Sequence, residues 1–453
     1  MTTPSHRISG EIPDGSINVD TAEMKLPLWQ ANMWFSVLWG MMFIDIVNRF
    51  ALGACIPFIK EDFGLTDTQA GMLNSAFALS VTLFAIPVSM LAFKWSRRKV
   101  LAVMVAIWSI ANWGTGLATG YLSLCFSRFM LGFGEAGYAP VAYSFVSIWY
   151  PKSMRGLMLG LLQVANQVAA TVGLMLCGWL AFTYGWQTSF AILTIPGLIL
   201  AVLGWFMPDF KNKVNAQVDR MEQEKTVSSE ISMKEAWAFS LKTPSVLFSI
   251  LMTGFVLVGS TAVALWGVTL YVRTFGMNVK EASAFIGYIG IASIFIPIAM
   301  GKLADLLVRK RPDGRLIASG ISACAYLLAA VVFTYDSLHA KDLIIAFISY
   351  GLVKGFLIAA TANANTLTND LVPPHYRTIT NSLIPLSNQG IGGMTGPLLC
   401  GILSDRLGIN LAFMYIIATG FTLQMIATIV CKVNFKKDLE KLESLGKFAL
   451  ERE

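Results

Sequence analysis

The sequence predicts an all-α membrane protein: twelve transmembrane helices arranged as two pseudo-symmetric six-helix bundles. Three observations predict it. Hydrophobic residues make up 55% of the 453-residue chain and charged residues only 13%, about half the charged share of a soluble domain. Apolar runs of spanning length, roughly 20 residues, recur from end to end. And the second half of the chain echoes the first.

Residues 1–28 are polar and include Glu11, Asp14, Asp20 and Glu23. They lack the basic start and small-residue cleavage site of a signal peptide, so they read as an N-terminal tail and the first span is expected to be retained. Six spans follow near 30–58, 68–93, 100–118, 121–150, 157–182 and 187–207. They make an N-terminal bundle over 29–207. Residues 208–244 are charged and polar and read as a linker between the bundles, with a short amphipathic helix expected around Met233 to Phe239. Six further spans lie near 245–273, 281–305, 316–334, 342–370, 378–404 and 410–431, giving a second bundle over 245–431 and a C-terminal tail over 432–453.

Lys and Arg set the expected orientation. With the N-terminus in the cytoplasm, the inside loops "KWSRRK", "PKSMR", the linker, "LLVRKRPDGR" and "PPHYR" carry 17 basic residues. The outside loops carry five: Lys60, Arg273, Lys280, Lys341 and Arg406. That excess favours both termini inside. The net charge of +7 therefore reflects topology and contact with anionic lipid; no nucleic acid is implied.

The six cysteines lie in or beside apolar runs without pairing spacings and read as small packing residues. His6, His339 and His375 fall in tails or loops, so no imidazole is available inside the membrane. A membrane enzyme would need intramembrane histidines or clustered carboxylates. No metal, cofactor or catalytic group is expected.

The repeat is specific. "SMLAFKWSRRK" after the second span matches "GKLADLLVRKR" after the eighth, 212 residues later. "YPKSMRG" matches "PPHYRTI", Asn166-Gln167 matches Asn388-Gln389, and "LCGWLAFTYG" matches "LCGILSDRLG". Four matches in one order argue for two parallel repeats, with a substrate site near the midplane between them.

Twelve spans, a central linker and "GKLADLLVRK" together resemble the major facilitator superfamily. Gly301, Leu303, Asp305, Arg309 and Lys310 match its inside-loop signature. The first-half copy departs, with Ser89, Phe93 and Ser96 at the two Gly and the Asp positions, while Arg97, Arg98 and Lys99 remain. The resemblance thus implies an inner gate built on Asp305, Arg309, Arg97 and Arg98, and the missing first-half carboxylate implies a one-sided latch. "NRFALGACIPFIKEDFGLT" with "RFMLGFGEAGYAP" is similar to the organic-anion/proton symporters of sugar acids. "GFGEAGYAP" with "VPPHYRTITNSLIPLSNQGIGGMTGPLLCGILSD" also looks like the spinster-type lipid transporters. The sugar-acid symporters carry an Asp directly before the first-span arginine; here Asn48 precedes Arg49.

Five charges lie deep in the spans: Asp45, Arg49, Arg128, Glu135 and Lys354. Each costs at least about 2.5–3.5 kcal/mol in a membrane and should face a partner or water. Asp45 and Arg49 are one helical turn apart, Arg128 and Glu135 two turns, so each pair shares a helix face. The bland reading is a set of fixed salt bridges clamping the first span to the fourth, with Lys354 packed on carbonyls. The unequal signs favour function: three cations against two carboxylates suit an anion bound together with a proton. Without histidines the proton carrier must be a carboxylate, Glu135 with Asp45 in support.

Neutral amides suit a hydroxylated cargo, since they both donate and accept: Asn48, Gln163, Asn166, Gln167, Asn363, Asn365, Asn388 and Gln389. Interhelical bonding is their bland alternative. Trp266 and Tyr271 are candidates for gating or stacking against packing. "GIGGMTGPLLCG" reads as a hinge or packing feature and not a phosphate loop. The fifth span has no proline, against the Gly-Pro signature of drug antiporters.

The reading is a secondary transporter of the inner membrane, moving a small organic anion such as a hexonate or hexuronate by proton symport as a monomer. Arg49 and Arg128 would engage the carboxylate, with Asn48, Gln163, Asn166, Lys354, Asn388 and Gln389 around it. The alternative is a spinster-like transporter or exporter of a lysolipid or other amphiphile.

Overall fold

The computed structural model describes residues 26–209, 233–373 and 376–450. The expectations for the N-terminal tail, most of the linker, His6 and His375 lie outside these residues, as does the side chain of Phe93. The first half contains α1 (Leu28–Phe63), α2 (Asp67–Lys94), α3 (Arg97–Gly116), α4 (Tyr121–Glu135), α5 (Tyr138–Trp149), α6 (Lys152–Tyr184) and α7 (Trp186–Trp205). A short α8 (Met233–Lys242) precedes the second half, where the amphipathic helix was expected. That half contains α9 (Pro244–Phe275), α10 (Val279–Ser293), α11 (Phe295–Lys310), α12 (Gly314–Leu338) and α13 (Leu343–Asp370). It continues through α14 (Arg377–Asn381), α15 (Leu383–Ser387), a π-helical turn (Asn388–Gly393), α16 (Met394–Leu407) and α17 (Ile409–Leu450).

Nine helices among the described residues are long and apolar enough to cross a membrane, counting α10 with α11 as one. The other three crossings are α3, the broken pair α4–α5, and the run from α14 to α16. Together they give the twelve expected crossings. Short connections alternate the direction of the helices, so the chain ends share one face. We call it the terminal face and the other the opposite face. Ser96 bonds Asp209 and Tyr150 bonds Asn32 on the first; Trp186 bonds Asp62 on the second.

Three spans read as single helices are interrupted, each four residues before a proline. A proline inside a helix lacks its N–H and crowds the carbonyl four residues back. Pro140 lies four after Ala136, where α4 gives way to α5; Pro297 lies four after Ser293, where α10 ends; and Pro397 lies four after Gly393, where the π turn ends. The carbonyl freed by Pro397 is used: Asn74 of the other half donates to Gly393 O at 3.0 Å. Next to it, Ser75 donates to Met394 O at 2.5 Å. The last helix departs from the expected end near 431, running unbroken to Leu450, with Asp438 accepting from the Ser245 N–H at 2.9 Å.

Close approach between helices needs small residues. A Cβ on Gly134 would lie 2.6 Å from the Trp108 nitrogen, and one on Gly71 would lie 2.5 Å from the Pro397 carbonyl of the other half. Such contacts allow backbones to pack without a hydrophobic drive between helices.

Candidate functional site

α1 and α4 meet at a buried ion pair. Arg49 Nε donates to Glu135 Oε2 at 2.6 Å, and Arg49 Nη2 lies 3.6 Å from Asp45 Oδ2 one turn away. The Glu135 side chain is fully buried and that of Asp45 nearly so, while Arg49 keeps 31% exposure. Both carboxylates thus sit behind the arginine, away from the cavity, and the arginine faces it. The Arg49 guanidinium also lies 5.4 Å from the Phe77 ring centroid.

Glu135 therefore pairs with the arginine of α1 and not with Arg128, seven residues before it. Arg128 is buried at 1% exposure. Its guanidinium stacks over Phe190 at 4.9 Å, and its Nε and Nη2 have no hydrogen-bond partner. Lys354 reaches the same space from α13: a Cβ built on Gly290 would lie 3.0 Å from its Nζ and 3.0 Å from Thr171 Oγ1. Among the described residues no carboxylate pairs with Arg128 or Lys354.

These cations line one cavity of about 630 Å³ between the halves. Arg49, Arg128, Gln163, Asn166 and Gln167 come from the first half; Lys354, Asn365, Asn388 and Gln389 come from the second. Asn166 Nδ2 lies 3.4 Å from Gln163 Oε1, and Gln163 donates to the Tyr143 hydroxyl at 3.2 Å. The Oδ1 atoms of Asn365 and Asn388 have no partner. The Asn-Gln pair of each repeat thus lies on the wall, because the repeats face each other across the cavity.

Several expected positions fall elsewhere. Asn48 is fully buried and off the cavity wall, with neither amide atom hydrogen-bonded. It differs from its neighbour Arg49 because adjacent residues on a helix point about 100° apart. Asn363 is buried off the wall. Trp266 donates to Pro397 O at 3.0 Å and Tyr271 to Ala346 O at 3.1 Å; both are fully buried packing residues, not stacking surfaces. Asn74 and Phe77 on α2 and Thr261 on α9 line the cavity and were not singled out in the sequence. Asn74 carried a readable signal, an amide inside an apolar run.

Of the gate candidates, Asp305 pairs with Arg315 at 3.1 Å, and Arg315 also holds Asp370 at 2.6 Å, all within the second half. In the first half, Asp209 accepts from Ser96 at 2.6 Å, and Arg98 donates to Met207 O at 3.2 Å. Asp209 thus supplies a carboxylate on this face although Phe93 replaces the signature Asp. Arg97 is buried beside this group. Arg309 is exposed and joins none of these pairs.

The opposite face holds a cluster that the sequence reading missed. Arg273 of α9 clamps Asp67 of α2 with two bonds, at 2.7 and 2.8 Å. Ser404 bonds the same carboxylate at 2.5 Å, and Lys60 pairs with it as well. Asp405 accepts from the backbone N–H groups of Asp67 and Thr68, both at 2.8 Å, and from the Thr68 hydroxyl at 2.7 Å. A carboxylate of the second half thereby caps the start of a first-half helix, where the helix dipole favours negative charge. The signal was present: "LSDRLG" carries Asp405 where its repeat copy "LAFTYG" has Phe182.

The model of the Major Facilitator Superfamily matches residues 38–397. The chain belongs to that family. It is a transporter and not an enzyme. A hexuronate transporter of Bacillus subtilis (strain 168) is 24% identical over 394 residues, 81% of this chain and 86% of its own. An MFS-type efflux pump of Mycolicibacterium smegmatis is 26% identical over 404 residues, 87% of this chain and 89% of its own. Among solved structures, a bacterial homologue of the human lysosomal transporter Spinster, inward-facing and occupied, superposes with a TM-score of 0.72. It covers 90% of this chain and 98% of its own at 19% identity, a likeness of fold alone.

Proposed function

We propose that this transporter carries a small organic anion by proton symport with alternating access, a sugar acid such as a hexonate or hexuronate being the cargo. Relatives of near-equal identity are named for different tasks, so the reading rests on cavity chemistry. The supporting observation is the pair of cations, Arg128 and Lys354, on the cavity wall with no carboxylate against them among the described residues. An unpaired buried cation is costly, and an anionic cargo removes that cost. The hexuronate transporter among the relatives is named for a cargo of this class.

Arg49 faces the cavity while Asp45 and Glu135 hold it from behind. A proton on Glu135 would release Arg49 toward the cargo, and loss of the proton would draw it back. The amides on both walls would read hydroxyl groups. The Lys and Arg bias supports a cytoplasmic terminal face; the membrane we propose is the inner membrane, with the protein acting as a monomer.

Uptake into proteoliposomes under a pH gradient tests the reading. A hexonate should accumulate and the matching neutral hexose should not. Glu135→Gln should abolish gradient-driven accumulation while counterflow exchange of the acid persists. Accumulation of the neutral sugar to the same level would overturn the anion reading. Unchanged accumulation of the acid by Glu135→Gln would overturn the proton assignment.

A further inference from the structure

We infer that the cavity is built for a short diacid, with one carboxylate held on the Arg128 and Arg49 side and the other on Lys354. This rests on the anion reading above and, within the sugar acids, ranks cargo with acid groups at both ends above the monoacids named there. The first ground is placement. Arg128 and Arg49 belong to the first half and Lys354 to the second, and all three line the same cavity of about 630 Å³. The carboxylates described near them, Asp45 and Glu135, both lie on the Arg49 side, one of them bonded at 2.6 Å. The second half therefore contributes a cation with no resident counter-charge among the described residues.

The second ground is charge balance. Three cations against two carboxylates leave the empty cavity with one surplus positive charge. A proton taken up by one carboxylate raises the surplus to two. A diacid cancels it, so cargo and one proton make the loaded site neutral. A monoacid leaves one positive charge inside the protein during the change of state, at the cost that buried charges carry.

The third ground is the shape of the Lys354 pocket. The Lys354 ammonium lies over a position without a side chain, a Cβ built on Gly290 falling 3.0 Å from Nζ. Thr171 of the first half lies against the same spot, so Lys354 stands at the seam. A cargo held at both ends would pull on both halves. The polar groups of Asn166, Asn365 and Asn388 lie on the walls of the same cavity, where hydroxyls along the chain would find partners.

A matched six-carbon series tests this on the full-length transporter in nanodiscs by calorimetry: galactarate with two carboxylates, galactonate with one, galactitol with none. The diacid should bind at least tenfold tighter than the monoacid, and the monoacid tighter than galactitol. Lys354→Gln should collapse the ratio of galactarate to galactonate affinity toward one, and Lys354→Arg should restore much of it. Equal binding of the two acids, both above galactitol, overturns the diacid inference and leaves the anion reading standing. So does an undiminished ratio in Lys354→Gln. Binding of neither acid above galactitol overturns both.

Discussion

The two faces of the transporter use the same groups, carboxylates beside basic residues and helix ends, yet join different partners. On the opposite face the bonds cross between halves: Asp67 to Arg273 and Ser404, and Asp405 to the start of α2. On the terminal face the bonds named above lie within a half: Arg315 with Asp305 and Asp370 in one, Asp209 with Ser96 in the other. The signature carboxylate Asp305 is thus occupied locally in this form. The bonds across the seam tie the two halves together on the opposite face in this structure.

The largest test of that contrast is Asp67→Asn. It leaves two cations facing an amide; breaking a buried ion pair costs about 3–5 kcal/mol, and with the Arg273 side chain 38% exposed the loss here is at most about 3 kcal/mol. With roughly 1.4 kcal/mol per tenfold in the ratio of states, the opposite face should open by a factor of up to about 100. Spin labels at Leu117 and His339, on either side of the seam, should separate. If the distance distribution is unchanged, Asp67 is not part of the latch.

Asp405→Asn should act in the same direction with less force. Asparagine keeps one acceptor oxygen, so one of the two α2 N–H bonds survives while the other N–H meets an NH2 donor. The charge and one bond are lost, about 1–2 kcal/mol, or roughly tenfold in the ratio. The same label pair reads it. A larger shift than for Asp67→Asn would move the centre of the latch to the helix cap.

Asp305→Asn should do least to this form. Its side chain is 63% exposed and its partner Arg315 keeps Asp370, so about 0–1 kcal/mol is at stake. Thermal unfolding should move by a degree or two at most. The sequence expectation was that Asp305 latches the terminal face in the other state. A population shift toward the present form with little loss of stability would join the two observations.

Much of this architecture was legible in the chain. The twelve crossings follow from apolar length, and the two halves from the four ordered echoes. The five intramembrane charges stood out because nothing else of their kind interrupts those runs. What could not be read was the pairing. Spacing puts Arg128 and Glu135 on one face, but Glu135 bonds Arg49, 86 residues away, because α1 packs against the end of α4. The same limit hid Asp67 and Asp405, which look like ordinary loop charges until α2 and α16 are brought together. Pro140, Pro297 and Pro397 mark the helix breaks, but Pro57, Pro87 and Pro196 lie inside unbroken helices, so proline alone does not tell which spans break. The consequence at Pro397, a freed carbonyl taken by Asn74 across the seam, needed the fold.

We propose that Arg128, held over Phe190 without a carboxylate partner among the described residues, is one of the charges that bind the cargo. The direct measurement is calorimetric binding of galactonate to the wild-type protein, Arg128→Gln and Arg128→Lys. Loss of a charge-assisted bond should weaken binding by about 1.5–3 kcal/mol in Arg128→Gln, a factor of roughly 10–150. Arg128→Lys should recover only part, because the two-pronged geometry is gone. Wild-type affinity in Arg128→Gln, with the protein folded, would contradict the account.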